Sequence, residues 1–162
     1  MDSVSYYTTI KSSYERLYLK EQESKIRFLL SKVRINPSDT ILDVGAGSGI
    51  LESLLPNNKI VAVEPSDMVD LIADRKLSNV SIVKTRIEDF VYHGKFNAVF
   101  CITVLQDLFG GIDGIMEKLF DLTAENGFLV VSVLKISQID LNRFNPIESG
   151  CIENDKYFVF KR

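Results

Sequence analysis

The run Ile41-Leu42-Asp43-Val44-Gly45-Ala46-Gly47-Ser48-Gly49 constrains this chain more than any other segment. A β-rich stretch from Thr40 to Val44 passes without a break into three glycines at alternate positions. A bend without Cβ atoms can turn tightly and lets main chain approach a ligand. The stretch from Ile50 to Leu55 then reads as a helix, stopped by Pro56-Asn57-Asn58. Strand, glycine bend and helix in that order present free N–H groups at the carboxyl end of a strand. That is where open α/β sheets bind ligands.

The pattern repeats downstream. Lys59 to Val63 reads as a second apolar strand, ending in Glu64-Pro65-Ser66. Ser66 is a natural N-cap for a helix from Asp67 to Arg75. Val80 to Val83 and Phe96 to Thr103 read as strands, Ile112 to Leu122 as a helix, and Phe128 to Leu134 as a fifth strand. Continuous apolar strands separated by helices predict a parallel sheet covered on both faces. The tail differs: Gly150 to Glu153 and Tyr157 to Phe160, around Asn154-Asp155, predict an antiparallel hairpin closing one edge. Upstream, Ile10, Tyr14, Leu17 and Tyr18, then Ile26, Leu29, Leu30 and Val33, recur at helical spacing. They predict two helices broken near Lys20. With no repeat or linker, residues 1–162 read as a single domain.

Composition narrows the function classes. The net charge of −3 (19 Lys and Arg against 22 Asp and Glu) disfavours a generic nucleic-acid binder without excluding one. His93, in a loop beside Gly94, reads as a solvated histidine. With only Cys101 and Cys151 beside it, no standard zinc site is expected, and no metal. Both cysteines read as reduced thiols. No signal peptide or membrane span is apparent, which points to the cytoplasm.

Two ligand classes use a bend of this kind. A nicotinamide site wants G-x-G-x-x-G, but Ile50 occupies the third glycine's position. Asp43, just before the bend, would repel a pyrophosphate and suits a ligand carrying a cationic amine. Glu64 ends the second strand, about twenty residues on, where a carboxylate can accept both hydroxyls of a ribose. Taken singly, these are an ordinary turn, a capping aspartate and a solvated glutamate. In register with two strands they argue together for an adenosyl ligand with an amino-acid arm.

These residues resemble the class I S-adenosylmethionine-dependent methyltransferases, through I-L-D-V-G-A-G-S-G at 41–49 and V-A-V-E-P-S at 61–66. The resemblance implies a three-layer αβα sandwich. Its seven-stranded, mostly parallel sheet has order 3-2-1-4-5-7-6, with strand 7 antiparallel. It implies S-adenosylmethionine as cofactor, with Gly45, Ala46, Gly47 and Gly49 along its methionine and ribose side. Asp43 would face the amine and Glu64 the ribose, while Pro65, Ser66 and Met68 bound the adenine. In the loop after strand 3, Arg86 stands where the family often has an acid, with Ile87 next. That leaves Glu88, Asp89 or main chain alone for the adenine amino group. Cys101 and Ile102, at the end of strand 4, would pass the methionine group. Asn97 stands where the family often has Asp, and no N-P-P-Y or D-P-P-Y follows strand 4.

The segment 13–22 resembles the helical lid of small prokaryotic members, making residues 1–35 a lid over a core of 36–162. Tyr14 and Tyr18 share a helix face; they either close over the cofactor or pack as amphipathic core. Asp107, Gln106 and Tyr14 are the candidates for handling an acceptor proton. The acceptor pocket is expected from the N-terminal helices, the strand-4 loop and Ser137 to Ser149, which suits a small molecule somewhat better than RNA or protein. A non-catalytic S-adenosylmethionine-binding partner subunit and a nicotinamide-dependent oxidoreductase are the alternative readings.

Overall fold

The computed structural model describes residues 20–108 and 111–162. The expected first helix, with Tyr14 and Tyr18, lies outside them. A helix over residues 20–30 (α1) precedes β1, Thr40–Val44. Then follow α2 (Ile50–Leu54), β2 (Lys59–Val63), α3 (Val69–Asp74), β3 (Val80–Val83) and β4 (Phe96–Ile102). A 3-10 turn over Leu105–Asp107 leads to α4 (Ile112–Leu122), and β5 (Thr123–Leu134), β6 (Glu148–Ile152) and β7 (Asp155–Lys161) complete the chain.

The seven strands form one sheet in the order β3-β2-β1-β4-β5-β7-β6. Strands β1 to β5 pair in parallel, and β7 runs antiparallel to both β5 and β6. Side chains of a strand alternate between faces, and here both faces are apolar. Leu42, Val44, Val99, Cys101, Leu129, Val131, Phe158 and Phe160 meet Ile115, Met116, Leu119 and Leu122 of α4 on one face. Ile41, Ala98, Phe100, Val130, Tyr157 and Val159 meet Ile26 and Leu29 of α1 and Ile50 and Leu51 of α2 on the other. Each Val, Leu, Ile, Phe or Met among them contributes about 1.5–3 kcal/mol on burial. Continuous hydrophobicity in the central strands therefore specifies the three layers.

Four local expectations change. Ser66 makes a cap-type bond, its hydroxyl accepting from the Met68 N–H at 3.2 Å, but a turn follows it and the regular helix begins at Val69 instead of Asp67. Val33 lies past the end of α1 but still packs on the core. Strand β5 starts at Thr123, directly after α4, with an irregular register opposite Phe96 and Ala98. The hairpin turns at Glu153-Asn154, so Asp155 is a buried strand residue paired with Ile152. Asn97 also acquires a role: its Oδ1 accepts from the Thr40 N–H at 2.9 Å, tying the starts of β1 and β4 together.

Candidate active site

The order of strands places β1 between β2 and β4, where the connections reverse direction across the sheet. The crevice at such a reversal is the usual ligand site of an open α/β sheet. Gly45, Gly47 and Gly49 all have positive φ there (72°, 54° and 80°), backbone that L side chains resist. Their surroundings differ. A Cβ on Gly45 would lie 2.3 Å from Val104 Cγ2, and one on Gly49 would lie 2.9 Å from Ile72 Cγ1. A Cβ on Gly47 would meet nothing nearer than Met68 Cε at 3.9 Å. Gly45 and Gly49 thus let the bend pack on Val104, just past β4, and on α3, whereas Gly47 faces open space bounded by Met68.

Glu64 holds this bend to the end of β2. One carboxylate oxygen accepts from the Gly47 N–H at 2.9 Å; the other accepts from the Ser66 N–H at 2.9 Å and the Ser66 hydroxyl at 2.6 Å. Glu64 is 6% exposed, so its carboxylate is a mostly enclosed acceptor at the mouth of the crevice. A carboxylate offers about four acceptor sites, and three are used. Pro65 is half-buried, and Ser66 and Met68 are buried beside it.

Asp43, one residue before the end of β1, is 5% exposed. Alternation puts it on the Ile41 face, against α2, where it meets Glu52. Burial first, then the Glu52 and Glu64 charges, hold its carboxyl well above the usual carboxylate range. Glu52 is fully buried and likewise raised, mainly by burial. Sequence reading missed Glu52. The signal available was an acid inside Ile50-Leu51-Glu52-Ser53-Leu54-Leu55, too apolar a stretch for a solvated face.

Beyond β3, Ile87 is buried, Arg86 and Glu88 are half-buried, and Asp89 is exposed. Lys118 of α4 donates to the Glu88 carbonyl at 2.7 Å, fixing that loop. At the end of β4 the Cys101 thiol is fully buried in the core and pushed far up by desolvation, so it is no nucleophile. Ile102 packs on the opposite face, so main chain is what Cys101 has left to offer the crevice. Thr103 then adopts φ 58°, unusual for a β-branched residue. The chain turns there into Val104, Gln106 and Asp107. Gln106 Nε2 donates to the Thr103 carbonyl at 2.7 Å and to Asp107 Oδ2 at 3.3 Å. Desolvation raises the Asp107 carboxyl above its usual range. His93 is exposed. Among the described residues no group of three His, Cys, Asp or Glu side chains is placed to hold a metal ion. Nor is any helix among them long and apolar enough to cross a membrane.

A family model described as a methyltransferase domain matches residues 14–162. The chain belongs to that family. No curated protein matches the chain significantly in sequence. The methyltransferase domain is similar in structure to DhpI in its complex with SAH, at TM-score 0.69 and 18% identity, covering 98% of this chain and 78% of that one. It is similar to the N-methyltransferase NodS from Bradyrhizobium japonicum in complex with S-adenosyl-L-homocysteine, at TM-score 0.69 and 16% identity, covering 90% and 88%. It also resembles coclaurine N-methyltransferase bound to N-methylheliamine and SAH, at TM-score 0.63 and 18% identity, covering 68% of this chain. The domain spans 35% of the length of that last enzyme. The sheet order of this domain is the one that the class I methyltransferase resemblance implied.

Proposed function

We propose that the chain binds S-adenosylmethionine in the crevice above β1, β2 and β4 and transfers its methyl group to a small-molecule acceptor. One observation carries this reading. The open, positive-φ Gly47 lies beside two enclosed acids with different roles, Glu64 anchored at the mouth and Asp43 at the floor. The residues present fit such a ligand. A Cβ at Gly47 would enter the open space, and the hydroxyl of the next residue, Ser48, is buried without a partner. An adenosyl group with a cationic amino-acid arm matches that donor and acceptor set. The solved relatives support the cofactor, since DhpI and NodS carry SAH in their structures.

In this reading Glu64 takes a ribose hydroxyl at its remaining acceptor site and Asp43 the amino group, while Met68, Pro65, Ser66 and Ile87 bound the adenine. Arg86, Glu88 and the main chain of Cys101 and Ile102 complete the wall. When bound, the cofactor supplies a methyl group activated by a positively charged sulfur. The protein's part is positioning and exclusion of water. Gln106 and Asp107 stand past the end of β4, on the acceptor side, and Asp107 is the group with a raised affinity for a proton. It accepts the acceptor's proton at its carboxylate wherever the nucleophile carries one. A small acceptor accords with the acidic net charge and with N-methyltransferases such as NodS and coclaurine N-methyltransferase among the relatives.

Calorimetry with S-adenosylhomocysteine and with NAD tests the cofactor, and labelled methyl transfer into a cell extract tests the reaction. Tight NAD binding with no response to S-adenosylhomocysteine would overturn the cofactor. Binding without any labelled product would make the chain a silent partner subunit.

A further inference from the structure

The methyltransferase reading leaves Glu52 without a role. Its side chain is fully buried, and neither carboxyl oxygen receives a donor from the protein. The group that meets it is the carboxyl of Asp43, and two carboxyls can bond only by sharing a proton. The contact follows from the fold. Strand alternation turns Asp43 toward α2, and α2 buries Ile50, Leu51 and Glu52 on that same side. The shared proton therefore sits at the floor of the crevice, below the glycine bend.

The groups around the pair reinforce this. From β2, the Glu64 charge opposes ionisation of both acids. From the end of α3, Arg75 favours the charged form of Glu52, but its guanidinium also serves the Ser48 carbonyl and the Ser53 hydroxyl. From β4, Cys101 lies in the field of Asp43 and stays a neutral thiol. Desolvation is the largest cause for both acids, placing Asp43 well above its usual range and Glu52 at about 7. A second unpartnered group, the buried Ser48 hydroxyl, lies in the bend itself.

We propose that Glu52 makes ligand capture proton-linked: it keeps Asp43 protonated in the free protein, and Asp43 gives up that proton when it takes a cationic amino group. The inference rests on the S-adenosylmethionine reading of the site. The step balances simply. The Asp43 O–H bond breaks, its proton passes to solvent, and the carboxylate left behind pairs with the ammonium. Glu52 is thus a positioning residue that acts through Asp43, setting the pH at which the site accepts the amino-acid arm. The affinity for an amine-bearing ligand then rises with pH for as long as Asp43 is protonated in the free protein.

The test is titration calorimetry on the full chain near pH 6, with S-adenosylhomocysteine, in buffers of different ionisation enthalpy. Release approaching one proton per ligand is expected, with affinity rising up to about tenfold per pH unit while Asp43 is protonated in the free protein. 5′-Methylthioadenosine, which keeps the adenosyl group and lacks the amine, is expected to bind without that release. Glu52→Gln removes a like charge and supplies an N–H donor, both of which favour the ionised form of Asp43, so the release and the pH slope are both expected to shrink. Binding of S-adenosylhomocysteine with no proton release in the unaltered chain, or equal release with 5′-methylthioadenosine, overturns the inference and leaves the cofactor reading standing. Release unchanged in Glu52→Gln also overturns it. No binding at any pH removes the cofactor reading and this inference together. If Glu52→Gln does not fold, the comparison of the two ligands on the unaltered chain decides.

Discussion

The Thr103 hydroxyl donates to Asp155 Oδ2 at 2.6 Å, joining the end of β4 to the start of β7. Three more contacts complete the cluster. Lys25 Nζ lies 2.8 Å from Thr103 Oγ1 and 3.2 Å from Asp155 Oδ2, and the Ser132 hydroxyl donates to the same oxygen at 2.7 Å. The Lys25 and Asp155 side chains are 3% and 1% exposed. The bond holds Thr103 in its left-handed conformation, which sends Val104 under Gly45. A buried ion pair thus links α1 to the glycine bend through one strained residue.

Removing one member of this cluster strands the other. Asp155→Ala is expected to cost about 3–5 kcal/mol, because Lys25 is left as an unpaired buried charge. Lys25→Met with Asp155→Leu is expected to cost less than the sum of the two single changes. Urea unfolding of the three variants measures both.

The glycines separate packing from binding. Gly45→Ala meets Val104 and keeps an unfavourable φ, so about 1–2 kcal/mol of backbone cost adds to overpacking. Gly47→Ala carries the backbone cost alone, yet its methyl enters the proposed ligand space. It is expected to stay folded by thermal unfolding while binding S-adenosylhomocysteine at least tenfold more weakly.

Asp43→Ala and Glu64→Ala are each expected to weaken S-adenosylhomocysteine binding at least tenfold, about 1.4 kcal/mol or more. Glu64→Gln should behave like the alanine variant. Its amide turns a donor toward either the Gly47 N–H or the Ser66 N–H, and the bend loses an anchor. Calorimetry checks all three. Unchanged affinity in the two alanine variants would place the site elsewhere.

The ligand-free protein should be more stable at pH 5 than at pH 8. Asp43 and Glu52 have folded-state values raised above their unfolded ones, so the folded state binds more protons. That contribution is complete below the unfolded values; the Glu52 share is lost as pH rises through about 7 and the Asp43 share as pH rises through its own raised value, at no more than about 1.4 kcal/mol per pH unit for each proton. The difference between the unaltered chain and Glu52→Gln, followed by urea unfolding across pH, isolates it. A difference that does not change with pH would contradict the prediction.

Asp107 predicts a limb in the rate profile. With its carboxyl raised by desolvation, the acid side of kcat should fall at a pH above the ordinary aspartate range. Asp107→Asn should lower kcat, remove that limb and leave S-adenosylhomocysteine binding within about twofold. The measurement requires an acceptor that loses a proton on methylation.

The sheet and its ligand end were legible because their determinants are local. Apolar runs of strand length, the bend at Gly45 to Gly49 and the apolar stripe of α4 each act over a few residues. The ending of β2 just before Glu64 marked the second edge of the crevice for the same reason. Partners far along the chain decided the rest. Asp155 reads as a turn residue until Lys25, 130 residues away, is packed against it. Glu52 is one polar position in a short helix, and only the packing of α2 on β1 joins it to Asp43. A side chain's charge state depends on desolvation and on neighbours in space. No pattern along the chain specifies either one, whereas periodicity and turn chemistry specify the strands directly.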